Sequence, residues 1–235
     1  MEEKFCGVVL NAVPYGENDK ILNVYSLEKG LVSAGIKGVK KAGAKLKFAS
    51  EPFCFAEFTT NVSVKRRTVT GASLIDSFYP IREDVKRFYA GSVVLDYLKR
   101  FCKYESSPGE LFSITVQVLK ELAYSDSSPY FSLANFLIKA LKISGYGLNF
   151  NGCESCGGKI TGKVFFNPSD GGFYCQDCYF GQGREIKEST YLTLLSIKDQ
   201  SFVDSDALSV LKLIDYYIET KLETSLSPLK VLIKL

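Results

Sequence analysis

The sequence contains no histidine. That removes the commonest general base, the serine and cysteine triads built on it, and every imidazole metal site. No Walker motif occurs, and no Gly-x-Gly-x-x-Gly opens a helix, so no phosphate loop is recognisable. No apolar run reaches the roughly 18 residues of a membrane span. The start, Met-Glu-Glu-Lys-Phe-Cys, is acidic and lacks the apolar stretch of a signal peptide. Charge of one sign is not in excess: 29 basic and 26 acidic residues leave a formal charge of only +3. A nucleic-acid surface would therefore have to come from local clustering. Internal repeats and low-complexity tracts are missing too. The absence of histidine argues against many hydrolases but not against carboxylate chemistry. The paired carboxylates Glu83 and Asp84 sit where a helix begins, and capping explains them. The expectation is a protein of the cytoplasm that is not an enzyme and does not meet a membrane.

The chain has 235 residues, of which 46% are hydrophobic and 23% charged, the balance of an ordinary globular protein with a sizeable core. It has seven cysteines. Cys6, Cys54 and Cys102 lie scattered in apolar surroundings and read as small buried residues in a reducing compartment. The other four form two knuckles, Cys153-Glu-Ser-Cys156 and Cys175-Gln-Asp-Cys178, with eighteen residues between them. That spacing matches a four-cysteine zinc site better than a pair of disulfides or a redox dithiol. Four thiolates close the coordination sphere, so one zinc ion is expected and its role is structural. Ile160 to Asn167, the turn from Pro168 to Gly172, and Phe173-Tyr174 complete a zinc-ribbon-like hairpin.

Residues 1–80 read as β. Strands are expected at Phe5–Ala12, Ile21–Ser26, Leu31–Ile36, Pro52–Thr60, Val62–Thr70 and Ala72–Phe78, with turn residues between them. So many short strands in so short a stretch suggest a small barrel of the OB-fold type. From Pro80 the period becomes helical. Helices are expected at Ile81–Tyr104, from the capping box at Ser107-Pro108-Gly109-Glu110 to Tyr124, and from Ser128-Pro129 to Gly145. Two more follow the cysteine module: one capped by Ser189, and one starting at Ser205 or Asp206 and ended by Pro228. The expected class is α+β. Residues 1–80 form an OB-fold-like barrel that binds DNA. Residues 81–235 form a helical bundle with a zinc module inserted at about 150–182.

Lys37, Lys40, Lys41, Lys45 and Lys47 fall within eleven residues that hold no acid, among small residues that keep the loop mobile. Lys65, Arg66 and Arg67 form a second cluster. The functional reading is phosphate contact beside a barrel face; the bland one is a solvated loop. Tyr15, Phe48, Phe53, Phe55 and Phe58 are candidate stacking platforms, although most aromatic residues serve the core.

The order of parts resembles the RecO family of bacterial recombination mediators. The local likeness is carried by Tyr15-Gly16-Glu17-Asn18-Asp19-Lys20-Ile21, Glu28-Lys29-Gly30, Lys37-Gly38-Val39-Lys40-Lys41, Leu46 and Pro52-Phe53. The resemblance implies a protein that binds single- and double-stranded DNA and anneals complementary strands. With RecR it would help RecA load onto DNA coated by single-strand-binding protein, whose C-terminal tail it would contact. It further implies a nucleoid-associated protein of the cytoplasm, with the family's basic loop at Lys37–Lys47 and its zinc cysteines at the four positions above. The chain departs from the family in lacking an Arg-rich end. The alternative is a zinc-ribbon scaffold for protein contacts in transcription or translation, without DNA-strand activity.

Overall fold

A computed structural model describes residues 1–64, 66–102, 109–181, 183–198 and 206–235. Contacts divide the chain into two compact units. The first joins Met1–Asp84 to Val94–Ser125, and the second joins Val85–Val93 to Asp126–Leu235.

In the first unit, β1 (Glu2–Tyr15), β2 (Asp19–Ser26), β3 (Gly30–Ile36), β4 (Phe55–Ser63) and β5 (Arg66–Asp76) close a barrel in the order β1-β2-β3-β5-β4. All neighbours run antiparallel except β3 and β5, which meet in a short parallel seam, Gly35 with Thr68 and Ile36 with Val69. Alternation along the strands sends Phe5, Val9, Leu22, Val24, Val32, Ala34, Ala56 and Phe58 inward to one core. This is the OB-like barrel expected from the sequence, with two differences. Of the five to six strands expected, five form the barrel among the described residues: Val62 belongs to β4, and β5 runs unbroken through Gly71. There the register slips between Thr59 and Thr60, and Gly71 faces Thr59. The glycine that reads as a break is a bulge that bends a continuous strand. Nor does a strand start at Pro52. Phe53 adopts a left-handed conformation (φ 69°) that turns its buried ring beneath the Arg82 guanidinium, and pairing begins at Phe55.

Close packing of β1 on β2 leaves no room beside Gly7. A Cβ there would lie 2.5 Å from Val24 Cγ1 and 2.9 Å from the Tyr25 carbonyl oxygen. Gly7→Ala should therefore lower stability by about 1–3 kcal/mol, the usual cost of overpacking, as read by urea unfolding. α2 (Gly109–Tyr124) belongs to this unit and sets Phe112 against Tyr25 and Phe55 at 5.8 and 5.9 Å between ring centres.

α1 (Val85–Phe101) is shared between the two units. Tyr104 and the capping box residues Ser107 and Pro108 lie outside the described residues. In the second unit, α3 (Pro129–Ile143) and α5 (Ala207–Leu222) bury Leu133, Leu137, Leu141, Leu211, Ile214 and Ile218. α4 (Glu188–Lys198) and α6 (Ser227–Leu232) complete the helices. Between α3 and α4, β6 (Asn149–Cys153), β7 (Val164–Asn167), β8 (Gly172–Cys175) and β9 (Arg184–Ile186) form a sheet in the order β6-β8-β7-β9. Its aromatic face packs on the helices: Phe166 lies 6.1 Å from Tyr217, and Phe173 lies 5.3 Å from Tyr191. The cysteine module is thus seated on the bundle.

Ser128 is the N-cap of α3 with Pro129 after it, as expected, although its side chain makes no cap bond. Two other helix ends differ from expectation. Ser189 lies inside the first turn of α4 and donates to Asp206 Oδ2 at 2.8 Å. Pro228 opens α6 instead of ending α5, which stops at Glu223 in a left-handed conformation (φ 50°). Proline suits a first helical turn because its missing N–H would be unpaired there anyway. Ser205 lies outside the described residues. Of the scattered cysteines, Cys54 is buried, and burial pushes its thiol up to about 12. Cys6 and Cys102 are only half-buried; Cys6 points outward because its neighbour Phe5 takes the inward place of the alternation. Among the described residues no helix is long and apolar enough to cross a membrane.

Candidate functional site

Two arrangements carry chemistry, one in each unit. In the second, the Sγ atoms of Cys153, Cys156, Cys175 and Cys178 all lie within 4.8 Å of one another. A tetrahedron of ~2.3 Å metal–sulfur bonds has edges of about 3.8 Å, so a small inward movement would close it. The first knuckle is a tight turn: the Cys153 N–H donates to the Gly158 carbonyl, and the Gly157 N–H donates to the Cys153 carbonyl, both at 2.8 Å. A Cβ on Gly152 (φ 142°) would meet the Gly158 oxygen at 2.8 Å, so the turn requires glycine there. The second knuckle follows β8, which pairs with β7 around a turn held by Asp170. One Asp170 oxygen accepts the Gly172 N–H at 2.8 Å, and the other accepts Asn167 Nδ2 at 2.9 Å and the Tyr174 hydroxyl at 2.6 Å.

The thiols differ in acidity. Burial opposes ionisation of Cys153, but the backbone N–H groups of Cys156, Cys175 and Ser155 outweigh it and bring that thiol down to about 6. Cys178 is pushed up to about 12, chiefly by its hydrogen bond with Cys175. Cys153 therefore ionises readily, whereas Cys178 holds its proton. Four clustered sulfurs can hold a metal ion, whose charge would displace the remaining protons.

In the first unit, the lysine loop follows β3. It is a chain of tight turns: Lys41 N–H to Gly38 O, Ala44 N–H to Lys41 O and Lys47 N–H to Ala44 O, each 3.2 Å. It is fastened to the β1–β2 turn in three places. The Gly38 N–H donates to Asp19 Oδ1 at 2.8 Å, the Lys40 N–H donates to the Asn18 carbonyl at 3.1 Å, and Lys40 Nζ donates to the Gly16 carbonyl at 3.1 Å. Val39 plugs into the barrel core, and Leu46 packs against it. The loop expected to be mobile is therefore held in place. Lys37, Lys40, Lys41, Lys45 and Lys47 are all exposed, and none forms an ion pair with a described carboxylate.

A cavity of about 470 Å³ opens on this face. Its lining includes Tyr15 from the end of β1, Lys20 from β2, Ser33 and Gly35 from β3, Lys37, and Arg66, Arg67 and Thr68 from β5. Lys37 and Arg66 thus share one groove although 29 positions separate them in the chain. Arg67 is half-buried and tied to Glu3 at 3.0 Å, the carboxylate that also holds Lys29 at 2.7 Å. Lys65 lies outside the described residues. The groove runs along the start of β2, the end of β3 and the start of β5, beside the β1–β2 turn; in OB-type barrels the face of strands 2 and 3 meets oligonucleotides. Of the aromatic candidates, Phe53 and Phe58 are core, Phe48 packs on the core, and Phe55 lies against Phe112. Tyr15 alone lines the groove. Ser33 and Thr68, which also line the groove, carry no signal in the sequence: Thr68 comes beside β3 only where the parallel seam closes the barrel.

The family model "Recombination protein O N terminal" matches residues 1–78, and "Recombination protein O C terminal" matches residues 82–229. The chain is 29% identical to the DNA repair protein RecO of Desulforamulus reducens, over 94% of this chain and 92% of that protein. It is 31% identical to the RecO of Rubrobacter xylanophilus, over 73% of this chain and 69% of that protein. It is 33% identical to the RecO of Frankia casuarinae, over 73% and 71% of the two.

Proposed function

The chain belongs to the RecO family of DNA repair proteins, and from that premise we propose that it is a DNA-binding recombination mediator that turns over no substrate. The supporting observation is the groove in which Lys37 and Arg66 converge beside a fastened loop of exposed lysines. Residues 1–80 are the DNA-binding domain, and residues 81–235 are the helical domain that carries the metal module. Lys37, Lys40, Lys41, Lys45, Lys47, Lys65, Arg66 and Arg67 meet phosphates of single- and double-stranded DNA, with Arg67 also tied to Glu3. A loop already held in position loses little freedom on binding, which favours affinity. Titration of single-stranded DNA binding against salt tests the assignment. A steep, sequence-independent loss of affinity supports it, and no measurable binding at low salt hands the protein to the scaffold reading.

The metal is zinc: four thiolates form a soft, tetrahedral donor set, and such closed sites serve structure. When bound, the ion would tie the two knuckles together. Cys153, Cys156, Cys175 and Cys178 hold it, and the backbone N–H groups around Cys153 keep that sulfur ionised.

With RecR, the protein helps RecA replace single-strand-binding protein at the nucleoid. The acidic, hydrophobic tail of single-strand-binding protein fits a cavity of about 420 Å³ in the second unit. Ile138, Leu148, Phe150 and Ile197 give it an apolar lining, and Lys139 and Lys142 supply the positive charge that such a tail needs. Reversing both charges, Lys139→Glu with Lys142→Glu, should weaken a tail peptide at least about tenfold in calorimetry, since each like-charge contact costs more than a lost attraction. Equal heats for variant and wild type would remove the cavity from consideration.

A further inference from the structure

The geometry points to Tyr15 as a base-stacking residue that selects single-stranded over duplex DNA at the cationic groove. The inference rests on the reading that this groove takes DNA. Tyr15 is 61% exposed although it ends a strand of the barrel. Its hydroxyl has no hydrogen-bond partner and its ring no ring partner among the described residues. By contrast, Tyr124, similarly exposed, spends its hydroxyl on Asp76 at 2.7 Å.

The position of Tyr15 is nevertheless fixed. It pairs with Asp19 across the β1–β2 turn, and Asp19 in turn holds the lysine loop through Gly38. Gly16, next in the chain, adopts φ 64° and passes its carbonyl to Lys40 Nζ. The ring is thus presented by the same fastening that places Lys37 and Lys40. Val13, on the same strand two residues earlier, is 49% exposed and extends the apolar surface. An apolar ring that stands bare beside cations, and lines their groove, is a poor choice for solvation and a good one for a nucleobase. Lysines and Arg66 take the phosphates, and the ring takes the face of one base. A single strand offers that face, whereas a duplex covers it by its own stacking.

The contact is uncharged, so it separates cleanly from the phosphate contacts. Binding is measured with an oligothymidylate, with an abasic strand of equal length and with a duplex, each at several salt concentrations. Tyr15→Ala should weaken oligothymidylate binding about five- to tenfold, the low end of what base–aromatic stacking contributes. The slope of log affinity against log salt should not change, because no ion is released. Affinity for the abasic strand and the duplex should stay at the wild-type value. Tyr15→Phe should bind like wild type, and Tyr15→Leu, which keeps the bulk without the π face, should behave like Tyr15→Ala. Equal oligothymidylate affinity for Tyr15→Ala and wild type overturns the inference and leaves the groove as a DNA site. So does a loss shared equally by the abasic strand. Wild-type protein that binds none of the three DNAs overturns the underlying reading instead.

Discussion

Replacing Cys153 with serine should reduce bound zinc from one ion per chain to near zero and loosen the whole second unit. The expected loss of stability is on the order of several kcal/mol, because the binding energy of a structural zinc is folding energy. The reach of the effect follows from the packing. Cys153 ends β6, which pairs with β8, and the β7–β8 hairpin places Phe166 and Phe173 against Tyr217 of α5 and Tyr191 of α4. Once the knuckles part, that face is held on the helices by ring packing, the Arg184 guanidinium over Tyr216 and the Lys221 bond to the Ser169 carbonyl, with no metal to fix the strands that carry the rings. Metal analysis and urea unfolding of freshly purified, reduced protein would show the change. Wild type stripped with a chelator should unfold like the variant, whereas Cys6→Ser, away from the cluster, should keep its metal. Wild type that carries no zinc, or a variant that keeps it, would remove the metal assignment.

The second large effect is electrostatic. Lys40→Ala, Lys41→Ala and Lys45→Ala together should flatten the salt dependence of single-stranded DNA binding by roughly two units of log affinity per log salt. Each phosphate contact to a single strand contributes about 0.7 to that slope. The fold should survive. All three side chains are exposed, and exposed changes usually stay within about ±0.5 kcal/mol. Of the three side chains, only that of Lys40 makes a hydrogen bond among the described residues, to the Gly16 carbonyl; the loop keeps its other two fastenings, through Gly38 and the Lys40 backbone N–H. An unchanged slope with an unchanged melt would make the loop plain solvated surface. The DNA assignment would then pass to Lys37 and Arg66 in the groove.

What is legible in the sequence depends on whether a signal is local. The two Cys-x-x-Cys knuckles are local, and the structure brings them together as their spacing implies. Alternation in β1, β2 and β3 is local too, and it gives the barrel class. Gly71 misleads because glycine serves a turn and a bulge equally well, and only the partner strand decides which. Pro228 misleads for the same reason: proline both follows a helix and opens one, and the left-handed Glu223 that ends α5 has no glycine to announce it. The groove is the least legible part. Tyr15, Lys37 and Arg66 belong to three separate stretches, and only closure of the barrel puts them on one face. The lysine run could be read as charge but not as a fastened loop, since its anchors, Asn18 and Asp19, lie upstream in an unrelated turn.

The parallel seam between β3 and β5 also bears on synthesis. When a ribosome has released only the first 60 or so residues, β1, β2, β3 and the lysine loop exist, but Arg66, Thr68 and the seam partners of Gly35 and Ile36 do not. β5 is the last strand of the barrel to emerge, so the lysine loop and its anchors are made before the barrel can close and before Arg66 and Thr68 can complete the groove.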